Sequence, residues 1–315
     1  MNILRKCLSL LAFLPLVNAA MAQQDPQFNL GFVNFAYINP GYAGSNPDGL
    51  FGATALNRIE LRGFDGAPVS TVVSVEGPVS FFGIESGVGL TLNNSSIGYL
   101  YAPGMSLSYA YRRKIGDGSL GIGFSAGFIS SWFSETSWRL PDGTNSDPVT
   151  PAQKESSASF DAGVGAFYSH PRWYAGVSCT HLPSPKLGIE GFARMSPTLY
   201  ANGGYTFLMD GSRDSWAIRP MMNVISDFAA TSVSVAGTVW YQEKYWAGVS
   251  YRWDQAIVGM IGIDIFDGLK IAYAFDYATS ELNNVSNGTH EIMLSYSFSF
   301  IIPRGTQKYK SIRYL

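Results

Sequence analysis

Between Thr54 and Ile301 the chain repeats one pattern: about ten residues of alternating character, a turn, then about ten more. In Gly118–Trp132, Leu120, Ile122, Phe124, Ala126 and Phe128 fall on one face, and Ser119, Gly121, Gly123, Ser125 and Gly127 on the other. A period of two is that of a β-strand. One greasy face and one small, polar face suit a strand with lipid outside and a lumen inside, the unit of a transmembrane barrel. Only 14% of residues are charged, against about 25% in an average soluble domain, while 34 glycines and 14% aromatics suit a curved wall with ring-lined rims. No run of about 18 apolar residues follows the N-terminus, so no spanning helix is expected.

Residues 1–22 read as a secretory signal peptide. Arg5 and Lys6 form the charged region, Cys7–Val17 the apolar core and Ala20-Met21-Ala22 the cleavage site, so that Gln23 begins the mature chain. Cleavage takes Lys+Arg from 21 to 19 against 23 acidic residues, a net charge of −4, which is not a nucleic-acid-binding balance. Cys179 alone survives processing, which excludes an intramolecular disulfide. Its strand phase puts it beside Trp173, Ala175 and Val177 as small apolar filler.

Fourteen strands are expected, centred near Leu56, Val75, Leu90, Leu107, Phe124, Val164, Val177, Tyr205, Ile218, Val235, Val249, Ile261, Tyr273 and Tyr296. They make an all-β, antiparallel transmembrane barrel over residues 52–302, with the N- and C-termini periplasmic. The even-numbered connections are short, near Phe82-Gly83, Gly116-Asp117-Gly118, His170-Pro171, Asp210-Gly211-Ser212, Glu243 and Asp267-Gly268. The long connections, Phe133–Ser157, Pro183–Ser196 and Ser280–Gly288, are all odd-numbered. Short periplasmic turns and longer outer loops are the barrel rule.

Leu269, Ile271, Tyr273, Phe275 and Tyr277 make one lipid-facing stripe, and Ile292, Leu294, Tyr296, Phe298 and Phe300 another. The opposite faces carry the charges: Arg58, Glu60, Arg62, Glu76, Arg112, Asp161, Arg219, Arg252, Asp264, Lys270 and Asp276. A lumen lined with both signs fits internal ion pairs or a packed plug as readily as an open channel. Residues 23–51, rich in Asn, Gly, Pro and Tyr, either fold into that lumen or lie beneath the barrel. Residues 303–315 form a basic tail with Arg304, Lys308, Lys310 and Arg313, expected on the periplasmic side, where it would meet an acidic partner.

No phosphate-binding loop, dinucleotide fingerprint, H-E-x-x-H or C-x-x-C occurs, and no cofactor or metal is expected. His170, His181 and His290 lie near strand ends in separate connections. Ser178 with His181 is the one pairing reminiscent of a barrel hydrolase, but strand phase puts the two on opposite faces.

Asn39-Pro40-Gly41-Tyr42-Ala43-Gly44-Ser45 resembles the N-P-x-Y-A-G motif of the PorP/SprF family of outer-membrane proteins from the type IX secretion system. Gly63-Phe64-Asp65-Gly66-Ala67-Pro68 followed by Ser74-Val75-Glu76-Gly77-Pro78 is similar to the family's G-F-x-G-A-P segment and the strand after it. Tyr109–Arg112, Trp246–Arg252, Tyr273–Asp276, His290–Ile292 and the aromatic, basic ending also look like family blocks, in order. The family's usual Gln-Trp before G-F-x-G-A-P is here Glu60-Leu61-Arg62, and Gly41 stands for the usual Ala. The resemblance implies a non-enzymatic component of protein secretion and adhesin delivery. Its implied partners are a periplasmic ring lipoprotein with its partner protein, a peptidoglycan-binding lipoprotein, or the C-terminal domain of a secreted adhesin. Asn39, Pro40, Tyr42 and Phe64, with Arg304, Lys308, Lys310 and Arg313, are the candidate contact residues. A channel for small or hydrophobic solutes is the competing reading, and a barrel hydrolase a third.

Overall fold

The computed structural model describes residues 22–23, 25–46, 49–133, 156–187, 193–212, 215–266, 268–279 and 286–299. Residues 1–21, expected to form a signal peptide, the centre of the longest loop and the tail at 303–315 lie outside them. Fourteen long strands form one sheet: β1 Phe51–Ile59, β2 Val69–Phe81, β3 Ile84–Ile97, β4 Leu100–Ile115, β5 Gly118–Phe133, β6 Ser156–Ser169, β7 Trp173–Thr180, β8 Thr198–Tyr205, β9 Trp216–Ser226, β10 Thr231–Tyr241, β11 Tyr245–Arg252, β12 Ala256–Phe266, β13 Leu269–Ala278 and β14 Thr289–Phe298. Each strand pairs antiparallel with its chain neighbours, and β14 closes on β1 from His290↔Ile59 to Phe298↔Phe51. The ring closes without a free edge strand among the described residues, as a backbone in hydrocarbon requires. Each expected centre falls in its own strand.

Strand parity sorts the side chains as the alternation requires. On β5, Ile122, Phe124 and Phe128 are more than half exposed on the outer wall, while Gly121, Gly123 and Ile129 are buried inside. Ile292, Leu294 and Tyr296 of β14 also face outward. Aromatic pairs ring both ends of the outer wall. Tyr168–Trp173 and Trp216–Tyr241, each at 4.8 Å, lie at one end, and the Tyr101–Trp132 stack at 5.8 Å lies at the other. Such belts anchor a barrel at the two membrane interfaces. Among the expected lumenal charges, Arg62 is the exception. Leu61 takes φ +45, which ends β1 at Ile59, and Arg62 stands exposed in the connection.

The barrel's two rims differ. Phe51 and Phe298 share one with Phe82-Gly83, Gly116-Asp117 and the other tight turns, hereafter the turn rim. The ends of β5, β7 and β13, from which the long connections leave, lie at the loop rim. Residues 25–46 run through the lumen from the loop rim to the turn rim as a plug, with 3-10 turns at Asn29–Val33 and Pro40–Tyr42. Ala22–Gln23 pair in parallel with Arg194–Met195 in the connection between β7 and β8, whose Leu187 and Met195 pack on Ile129 inside the barrel mouth. This corrects the expectation for the N-terminal side, that Gln23 and the end of the last strand share one side. The strand ends Phe51 and Phe298 do share a rim, but the chain reaches β1 by crossing the lumen, so Gln23 sits at the opposite one.

Candidate functional site

The plugged lumen is where the chain concentrates its buried polar groups. Three latches hold the plug, each built from residues far apart in sequence.

The first latch is the Asn39–Ser45 motif. Asn39 Oδ1 accepts from Gly41 N (2.9 Å), which shapes the second 3-10 turn, and Asn39 Nδ2 donates to the carbonyls of Ala166 (3.0 Å) on β6 and Val177 (3.4 Å) on β7. Ser178 Oγ donates to Ile38 O at 2.7 Å. Glu76 on β2 accepts from Gly44 N (2.7 Å), and Arg112 on β4 donates to Ala43 O (3.1 Å) and Ser45 Oγ (2.7 Å). Backbone meets backbone here. A Cβ on Gly41 would stand 2.8 Å from Gly165 O, and one on Gly123 would stand 2.5 Å from the Pro40 carbonyl carbon. The small lumenal face of β5 is therefore a docking groove for the motif, and glycine permits the close approach. Phe35 fills the space beside it, with ring centroids 5.1–5.5 Å from Tyr42, Phe167 and Tyr174.

The second latch holds Asn29 and Leu30. Glu291 on β14 is fully buried and accepts from the backbone N–H of Asn29 (2.8 Å) and Leu30 (2.7 Å). Arg58 on β1 bridges Glu291 and Asp276, each at 3.2 Å, and reaches Glu60 at 3.0 Å. Arg252 adds a bond to Asn29 Oδ1. Buried charges persist only when paired and hydrogen-bonded, and here the plug's backbone supplies the missing donors. Beneath them Leu30 packs on Leu56, Val72, Val258, Met260, Ala272, Ala274 and Met293. Full burial of such a side chain contributes about 1.5–3 kcal/mol. The inner wall is thus apolar where it meets Leu30, although the expected lumen was lined with charge.

The third latch lies near the loop rim. His181 sits between two carboxylates, with Nε2 2.9 Å from Asp25 and Nδ1 2.9 Å from Asp161, while Tyr200 donates to Asp25 at 2.7 Å. Strand phase would have turned His181 outward, away from Ser178. Its left-handed backbone, φ +54 just after β7, brings it back into the lumen, so both residues face inward, which corrects the expected opposition. The Ser178 hydroxyl is committed to the plug, and the imidazole to two acids. Burial opposes protonation of His181, but Asp25 and Asp161 outweigh it and push the group up to about 10. Burial likewise opposes the charge on Asp25, yet His181 and Tyr200 hold that carboxyl lowered.

The signs give a pH prediction. A raised histidine stabilises fully below its free value near 6.5 and loses that contribution as pH climbs to about 10. A lowered aspartate contributes above its free value near 3.8 and loses the contribution as pH falls. Protease nicking near residue 27 in detergent should therefore be slowest between about pH 4 and 6.5 and accelerate steadily toward pH 10. In His181→Gln the alkaline limb should be flat, and an equally steep limb in that variant would remove His181 from the account.

Of the candidate contact residues, Asn39 and Pro40 are buried against the wall, Tyr42 is half-buried beside them, and Phe64 stands 60% exposed at the loop rim. Arg304, Lys308, Lys310 and Arg313 lie outside the described residues. No single surface unites the first four. Residues that sequence reasoning passed over are Asp25, Tyr200 and Glu291. Glu291 was recoverable, because its parity opposes the Ile292–Leu294 stripe. Nothing local marks Asp25. On either side of the plug lies a vestibule. The one at the turn rim has about 630 Å³ and is lined by Glu76, Arg219, Trp240, Glu243, Asp264 and Lys270. The one at the loop rim has about 380 Å³ and is lined by Asp25, Arg58, Glu60 and Arg252.

Among curated protein sequences none matches the chain. Solved barrels resemble it in shape. The toluene transporter TbuX of Ralstonia pickettii aligns at 12% identity and TM-score 0.51, over 90% of this chain and 96% of that one. The toluene transporter TodX of Pseudomonas putida aligns at 12% and 0.48 over 86% and 94%, and Omp33 of Acinetobacter baumannii at 12% and 0.43 over 80% and 98%. At such identity the likeness to TbuX speaks for the outer-membrane barrel fold alone. The family model of the type IX secretion system membrane protein PorP/SprF matches residues 20–296. That span takes in the plug, its latches and the barrel almost to the end of β14, and the chain belongs to the PorP/SprF family of type IX secretion system outer-membrane proteins.

Proposed function

We propose that the protein is a docking or anchoring barrel of the secretion machinery, with no reaction of its own, and that its turn rim faces the periplasm. The observation that carries this reading is the occupied lumen. A barrel built for free solute passage has little use for a segment held at both walls by buried ion pairs, backbone hydrogen bonds and a glycine groove. A fixed plug instead presents two shaped rims to partners. The partners are secretion-system proteins: a periplasmic ring lipoprotein with its partner protein, a peptidoglycan-binding lipoprotein, or the C-terminal domain of an exported adhesin. In the sequence the basic tail follows β14, whose last residue Phe298 lies at the turn rim, and attraction between such a tail and an acidic surface acts over about 8 Å at physiological salt. Phe64 at the loop rim faces the opposite way and suits an exported partner. An open channel for small or hydrophobic solutes is the rival reading.

Crosslinking pull-down from intact envelopes tests the proposal. Replacing Arg304, Lys308, Lys310 and Arg313 together by Glu should leave the barrel inserted, weaken co-purification of the ring lipoprotein and reduce secretion. Unchanged co-purification and secretion at normal barrel levels would remove the tail from the docking surface.

A further inference from the structure

The plug fills the lumen unevenly. Its two 3-10 turns pack on β13–β14 and on β4–β7, while the wall from β8 to β11 meets the plug at separate points, Tyr200 on Asp25, Ser232 on Gln27, Arg252 on Asn29 and Trp246 on Phe32. A narrow gap of about 70 Å³ remains there, lined on the plug side by Phe32, Asn34 and Tyr37.

The gap has an unusual chemistry. Asn34 Nδ2, both polar atoms of the Asn202 amide and Asn223 Oδ1 are buried and meet no partner in the protein. Asn34 and Asn202 are 3% and 8% exposed. Asn202 and Asn223 oppose each other directly across β8 and β9, so their amides sit side by side on the inner wall. Leaving one buried polar group unpaired costs about 1–3 kcal/mol, and three amides sharing that condition in one gap indicate hydrogen-bonding molecules between them. Ser232, Ser234 and Ser250 continue the polar lining. The gap also shares lining residues with both vestibules. Asn34, Tyr174 and Met221 line it and the turn-rim vestibule, and Gln27, Tyr37 and Arg252 line it and the loop-rim vestibule.

We infer that this gap is a hydrated passage beside the plug, carrying water and small neutral polar solutes of the urea and glycerol class between the vestibules and excluding ions. A water needs roughly 10–15 Å³ of such volume, so the gap holds a short file of them. Three amides offering donors and acceptors replace the hydrogen bonds of a neutral solute. They do not replace the hydration shell of an ion, whose transfer into a low-dielectric slot is prohibitive without a counter-charge, and the charge of Arg252 in the lining is already answered by Asp276. This activity is independent of docking, and its failure would leave the docking proposal untouched.

The test is stopped-flow light scattering on phosphatidylcholine vesicles holding the mature, full-length protein, under a sucrose gradient for water and a urea gradient for solute. Wild-type vesicles should shrink, and re-swell with urea, several-fold faster than protein-free vesicles, while planar bilayers with the same protein stay at baseline ionic conductance. Asn202→Leu with Asn223→Leu, which substitutes apolar side chains for the amides, should bring both rates down to the protein-free level. Ser234→Leu, which narrows the same wall and leaves all three asparagines in place, should lower them as well. Insertion of every variant is checked by heat-modifiable migration in gels. The inference is overturned if wild-type vesicles respond at the protein-free rate, if correctly inserted narrowing variants keep the wild-type rate, or if ions pass as freely as through an open pore.

Discussion

Gly123→Leu should expel the plug and turn a closed barrel into an ion-conducting one. A Cβ at this position meets the Pro40 carbonyl carbon at 2.5 Å and Gly41 N at 2.7 Å, and both are backbone atoms that cannot swing aside. The motif cannot slide along the wall either, because Gly41 sits against Gly165 and Ala166 of the adjoining β6. Overpacking of this kind costs about 1–3 kcal/mol, and here the cheapest relief is to release the segment rather than deform a closed sheet. Planar-bilayer recordings should show large, steady conductance, and protease should cut the freed segment. Gly259→Leu is the control. Its residue points outward from β12 and a Cβ there meets nothing within 4 Å, so conductance should stay at baseline. A Gly123→Leu barrel that inserts normally and stays closed would mean that the motif is not the segment sealing the lumen.

Arg58→Met should be the most destabilising single change in the lumen. It leaves Glu291, fully buried, and Asp276, 5% exposed, as facing carboxylates with only Arg252 to answer both. Breaking a buried ionic network by removing one member costs about 3–5 kcal/mol, because the remaining charges are uncompensated. Thermal unfolding in detergent should shift down markedly, and Asn29–Leu30 should become accessible to protease. Adding Glu291→Gln should restore much of the loss: the amide oxygen still accepts from Leu30 N, and the stranded charge is gone. If the double variant is as unstable as the two single losses added together, charge compensation is not what Arg58 supplies.

The resemblance in the Asn39–Ser45 motif was visible in the sequence, but its setting was not. As a string it reads as turn chemistry, with Pro40 and Gly41 fixing backbone angles. In the barrel the same residues lie against the glycine groove of β5 and β6, so the motif and the groove are two halves of one contact. Neither half announces the other, since Asn39 and Ala166 lie 127 positions apart.

The sequence by itself determined the wall. Side chains in a strand alternate strictly, lipid and lumen impose opposite demands on the two faces, and both requirements are local. The strand number, the outward faces of β5 and β14 and the phase of the turns could therefore be read directly. The tertiary structure alone decided what occupies the lumen. The plug has no periodicity, because it is neither strand nor long helix. It is held by single groups arriving from across the chain, such as Glu291 accepting from Asn29 N at a separation of 262 residues. A residue such as Arg58 is known from its parity to face inward, but whether it meets water, a counter-ion or a backbone turn depends on a path no local pattern encodes. The same limit hid the placing of Gln23 at the loop rim and the inward turn of His181, where one left-handed residue reversed the phase that eight preceding strand residues had set.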